Sequence, residues 1–97
     1  MDFDSFRKSV SANAPPKDLE LALQALWWDA KGDWDKAHEI ADKRHDADGS
    51  WVHAYLHRKE GDRGNAGYWY RHAGKAMPSK TSLDDEWTEI AKALTHR

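Results

Sequence analysis

Apolar residues recur along this chain in steps of three and four, the spacing of a helix that buries one face. Phe3, Phe6 and Val10 set the first stripe and predict a short N-terminal helix within residues 1–14. The run Ser11-Ala12-Asn13-Ala14-Pro15-Pro16 breaks it. Proline suits the first position of a helix, where an N–H would have no partner, so a second helix is expected to start at residue 16. Leu19, Ala22, Leu23, Leu26 and Ala30 form its stripe, and Gly32 ends it. Asp33 is placed to cap a third helix running to about Arg44, with Trp34, Ala37, Ile40 and Ala41 turned inward. After a loop over residues 45–49, Asp48 or Ser50 is the expected cap of a fourth helix carrying Trp51, Ala54 and Tyr55 and ending at Glu60-Gly61. Asp62 caps a fifth, with Ala66, Trp69, Tyr70 and Ala73. Ser82, followed three residues later by Asp85, opens a last helix with Leu83, Trp87, Ile90, Ala91 and Leu94 on one face. No stretch alternates with period two, so no sheet is expected.

Two of these segments repeat. Gly32-Asp33-Trp34-Asp35-Lys36-Ala37 aligns with Gly61-Asp62-Arg63-Gly64-Asn65-Ala66 at an offset of 29 residues, and the same offset sets Leu26 over Tyr55 and Ala41 over Tyr70. Each unit reads as a helix ended by glycine, an aspartate cap, and an alanine one turn later that lets two helices approach closely. One such hairpin cannot bury its own apolar faces, so the units must stack. The pattern predicts one all-α domain over residues 1–97: two stacked helix-turn-helix hairpins (16–45 and 48–78) flanked by a short N-terminal helix (1–14) and a C-terminal helix (82–97).

The phrase Gly61, Asp62, Ala66, Tyr70, Ala73, Pro78, and in part Gly32, Asp33, Trp34, Ala37, Ala41, resembles the tetratricopeptide repeat over about residues 18–78. The offset is shorter than that family's usual 34 residues, and two units are visible where three or more are usual. The segments from Leu26 to Trp34 and from Trp51 to Asp62 also look like those of small, uncharacterised bacterial proteins. The resemblance implies a protein-interaction module. Its contact face would be made by the first helix of each hairpin and would present Asp29, Trp51, Tyr55, Arg58 and Lys59. Aromatic anchors with basic neighbours suit a partner protein or peptide that offers an acidic residue or a free carboxylate. In the competing reading the terminal helices fold across this face and bury Trp51 and Tyr55.

Composition narrows the alternatives. The chain has 97 residues and no cysteine, which excludes disulfides, thiolate metal sites and cysteine nucleophiles. Surface scaling gives a folded area of roughly 5,600 Å², enough to enclose one modest core. Six tryptophans beside two phenylalanines point to a core filled by indoles. The acidic start, with no long apolar run, leads to the expectation of a cytoplasmic protein with no membrane span. The net charge of -2 argues against a general polyanion binder. The second half is nonetheless basic and aromatic, with Arg58, Lys59, Arg63, Arg71, His72, Lys75 and Lys80 near Tyr68, Trp69 and Tyr70, a pattern that in a more basic chain would suit single-stranded nucleic acid. Gly61-Asp62-Arg63-Gly64 matches a bare KH-type loop, without the strands such a fold needs.

The histidines carry the remaining chemistry. His53 and His57 stand four apart on one predicted helix, and His38 and Asp42 stand four apart on its antiparallel neighbour, at matching levels. Two such pairs facing each other would make a nitrogen–oxygen site for zinc or nickel. Packing of half-buried histidines at a helix seam explains the same spacing without any ion. No phosphate-cradling loop, nucleophile elbow or His-Glu-x-x-His pair is present, so no enzyme and no resident cofactor are expected.

Overall fold

A computed structural model describes residues 1–96; Arg97, included in the expected last helix, lies outside the described residues. Six helices follow in order: α1 (Phe3–Ser9), α2 (Leu21–Ala30), α3 (Trp34–Ala41), α4 (Ala47–Glu60), α5 (Arg63–Ala73) and α6 (Leu83–Thr95). No strand occurs among the described residues. The fold is all-α, with α2–α3 and α4–α5 as stacked hairpins and α1 and α6 flanking them. The accessible surface is 5646 Å², the value expected of a compact chain of this mass.

The two hairpin turns are built alike. Gly32 and Gly61 take φ of 85° and 91°, the left-handed region in which a Cβ would be strained. Their N–H groups donate to Asp29 O at 2.9 Å and Arg58 O at 3.1 Å, positions related by the 29-residue offset. Asp33 N donates to Trp28 O and Asp62 N to His57 O, again at equivalent positions. Each aspartate side chain then caps the next helix, Asp33 accepting from Lys36 N at 3.0 Å and Asp62 from Asn65 N at 3.1 Å. Ala37 and Ala66, both fully buried, sit where the paired helices approach.

Two helix starts differ from expectation. The second helix begins at Leu21, not at residue 16, because Asp18 adopts φ of 64° and interrupts any helical run from the prolines. The fourth begins at Ala47 under an Asp46 cap that accepts from Gly49 N at 2.9 Å, upstream of the expected Asp48 or Ser50. Gly49 therefore lies inside α4, where the Arg44 carbonyl presses on it; a Cβ there would stand 2.3 Å from that oxygen.

Helix α4 is the hub. It packs against α2, α3, α5 and α6, and every residue from Gly49 to His57 is buried. A helix enclosed on all sides loses the polar stripe of a surface helix. Helix α6 lies across α2 and α4, fixed by Trp87 Nε1 donating to Leu26 O at 3.0 Å, and α1 rests on α6 through Phe6 stacked on Trp87. None of the six tryptophans is exposed, so the indoles fill the core and its margins as expected.

Candidate metal centre

The antiparallel packing of α3 and α4 brings three histidines together. His38 projects from the last turn of α3, and His53 and His57 from successive turns of α4. The ring centroids are 4.7 Å apart for His38–His53, 5.1 Å for His38–His57 and 4.9 Å for His53–His57. One nitrogen from each ring lies within 4.8 Å of one from each of the others. Imidazoles bound to a tetrahedral ion at about 2.0–2.1 Å place their nitrogens about 3.3 Å apart.

Tryptophans wall the cluster. Trp34 stacks on His38 at 4.9 Å and is held by its Nε1 donating to Leu56 O at 2.9 Å. Trp69 of α5 stacks on His53 at 4.1 Å with the planes 12° apart. His53 is 3% exposed, and its Nδ1 is buried with no hydrogen-bond partner. Such an unmet polar atom costs about 1–3 kcal/mol, which coordination to an ion would relieve. Burial, reinforced by His38 and His57, lowers the His53 pKa from its ordinary value to about 4. The ring is therefore neutral near pH 7, with a lone pair to offer. His57 Nδ1 is 2.5 Å from Glu60 Oε2, three residues on. A carboxylate that holds one imidazole nitrogen as N–H leaves the other as a donor to a metal, the usual outer-shell arrangement.

Of the four residues expected to form this site, the three histidines converge and Asp42 stands aside. Asp42 Oδ1 is 3.9 Å from His53 Nδ1 and 3.4 Å from His45 Nε2, and its side chain is largely exposed. Asp42 is the C-cap residue of α3, and its carboxylate lies closer to His45 of the following loop than to His53. Glu60 was missed, although its (i, i+3) spacing from His57 could have signalled the pair. Trp69 of α5 was not legible, because the (i, i+4) spacing that pairs the histidines says nothing of which α5 residue packs on them. His57, Glu60 and Asp62 also lie within donor distance of one another, but Asp62 is committed to capping α5 through Asn65 N and Nδ2.

In the expected partner-binding face the aromatic pair is buried, as in the competing reading. Trp51 and Tyr55 are 6% and 2% exposed, with Lys75 Nζ 4.3 Å over the Trp51 ring, so neither offers a ring to a partner. Asp29 is buried as well, accepting from Tyr55 Oη at 3.1 Å and Lys59 Nζ at 2.8 Å. Arg58 points elsewhere, donating to Glu86 Oε1 at 2.8 Å and to the Thr81 carbonyl. The structure thus unites Asp29, Tyr55 and Lys59 in one hydrogen-bonded network, and leaves Trp51 and Arg58 outside it.

Compared with protein-family models, curated proteins and solved structures, the chain finds no match. No helix among the described residues is long and apolar enough to cross a membrane.

Proposed function

We propose that this protein binds a divalent first-row transition-metal ion, zinc or nickel, through His38, His53 and His57. The observation that supports this most is the buried His53 imidazole, unpartnered at Nδ1 and facing two further imidazoles. An all-imidazole donor set suits zinc and nickel, and it lacks the oxygen-rich character that magnesium or calcium needs. Glu60 orients His57 and adds negative charge beside the ion, and the indoles of Trp34 and Trp69 shield it from water. Binding would tie α3 to α4 and leave a fourth coordination position to water or to Asp42.

The reading as a peptide-binding module through an aromatic and basic patch has less support, since its aromatic anchors are buried. The nucleic-acid reading likewise loses Arg58 and Lys59, which are paired with Glu86 and Asp29.

Titration of zinc or nickel into chelator-treated protein tests the proposal. One equivalent should bind saturably, and at a hundredfold excess over the dissociation constant the melting temperature should rise by roughly 10 °C or more. His38→Gln should weaken binding with little effect on the metal-free fold, because that ring makes no hydrogen bond among the described residues and is half-exposed. An unchanged melting temperature with both metals would reduce the triad to a packed seam of rings.

A further inference from the structure

A second site lies round the other side of α4. Tyr55 and Lys59 are two residues on from His53 and His57, about 200° around the helix, so they face away from the histidines. There α1, α2, α4 and α6 leave a cleft of about 480 Å³, within the size range of small-molecule sites. Its components come from separated parts of the sequence: Arg7 of α1, Asp29 of α2, Lys59 of α4, and Asp84, Trp87 and Thr88 of α6.

The polar groups divide into those already satisfied and those that are not. Asp29, 4% exposed, is held by Tyr55 and Lys59. Lys59 directs one N–H to Asp29, and an ammonium has three. Arg7 on one wall makes no hydrogen bond or ion pair with any described residue, and neither does Asp84 or the Thr88 hydroxyl. The cleft therefore holds an unengaged guanidinium and a partly engaged ammonium, with an unengaged carboxylate in the first turn of α6. The Trp87 indole, fixed by Leu26 O and by the Phe6 ring, lines the same cleft together with Val10 and Ala30.

We infer that this cleft binds a small zwitterion, a free amino acid with an apolar side chain. A carboxylate is recognised by Arg7 and the spare Lys59 protons, because guanidinium and ammonium donors make the stronger, charge-assisted bonds. An α-ammonium is recognised by Asp84. The apolar side chain lies on Trp87. A simple anion would be opposed by Asp84, and a simple cation by Arg7, so the lining selects for both charges on one molecule.

The test is an NMR titration of the isotopically labelled, metal-stripped full chain with each of the twenty L-amino acids. Stripping the metal separates this site from the histidine cluster, so either can fail alone. At least one apolar amino acid should shift the Trp87 indole and the Lys59 and Thr88 amides saturably, with a dissociation constant of about a millimolar or tighter. Arg7→Ala and Asp84→Asn should each weaken it roughly tenfold. Both side chains are exposed and unbonded, so the variant spectra should otherwise match the parent. The N-acetylated form of the same amino acid, lacking the ammonium, should bind at least as weakly as the free one binds to Asp84→Asn. Absence of saturable shifts with all twenty would overturn the inference. So would equal affinity for the acetylated form, which would make the ligand a peptide carboxyl terminus, and so would affinity unmoved by either variant.

Discussion

His53 shows how one buried side chain links stability to chemistry. Its ring is enclosed by Trp69 from α5, His38 from α3 and His57 from its own helix, with the Asp42 carboxylate 3.9 Å away on the loop side. Desolvation opposes its protonation, and nearby His38 and His57 oppose it further; Asp42 acts the other way and loses. The folded pKa is about 4 against 6.5 for the ordinary group. Between those values the unfolded chain binds the extra proton and the folded chain does not. The contribution of His53 to the stability of the metal-free protein is therefore complete above about pH 6.5, falls as pH drops through that window, and is lost below about pH 4. The change from this one group is up to about 3 kcal/mol. Urea midpoints measured from pH 4 to 7 check it: His53→Phe keeps the ring stacked on Trp69 and should flatten the slope relative to the parent. A parent and variant with parallel profiles would show that His53 takes up its proton while folded.

At the level of elements, what could be read from sequence depended on how local its cause was. The Gly-Asp turns at 32–33 and 61–62 were legible because one positive φ and one capping carboxylate determine each. The histidine cluster was legible because (i, i+4) spacing on two neighbouring antiparallel helices fixes which rings meet. The start of α2 was not, since Asp18 in a left-handed conformation overrides the helix-opening prolines. The burial of Trp51 and Tyr55 was one of two readings the sequence left open, since spacing along α4 does not say what packs on it. The cleft was hidden more completely, being assembled from four helices whose residues share no spacing. The first turn of α4 packs closely on the preceding loop, with the Arg44 carbonyl against Gly49. This gives glycine substitutions opposite signs in two helices. Gly49→Ala gains up to about 1 kcal/mol of helix propensity and loses about 1–3 kcal/mol to the clash, for a net loss. At Gly64 in α5 the nearest atom to an added Cβ is 3.8 Å away, so Gly64→Ala should stabilise by about 0.5–1 kcal/mol. Denaturant midpoints for the pair decide it; a stabilised Gly49→Ala would mean that the loop carbonyl yields freely.

For the molecule as a whole, the adjacent cations Arg58 and Lys59 leave α4 in different directions and fasten different helices to it. Lys59 reaches α2 through Asp29, while Arg58 reaches α6 through Glu86. Glu86 is 1% exposed, and both its oxygens are 2.7 Å from Tyr70 Oη of α5. This carboxylate therefore joins α4, α5 and α6, although the α5 and α6 backbones are not neighbours. A tyrosine hydroxyl so placed is held protonated, its pKa raised by burial and by Glu86, so it acts as a fixed donor at all ordinary pH. Glu86→Ala would leave a guanidinium and a phenol buried without their acceptor, at a cost of about 3–5 kcal/mol. Against a total stability of about 5–15 kcal/mol for a domain, that removes a large fraction. Glu86→Gln keeps one acceptor oxygen for the two donors and should lose less. Urea unfolding of the two variants, followed by tryptophan fluorescence, gives the comparison. Metal affinity of whatever remains folded should be unchanged, because none of these groups lies in the α3–α4 seam. A Glu86→Ala loss below about 1 kcal/mol would mean that α6 is held by its apolar face alone. Trp87, Ile90 and Leu94, not the carboxylate, would then be what closes the two hairpins into one body.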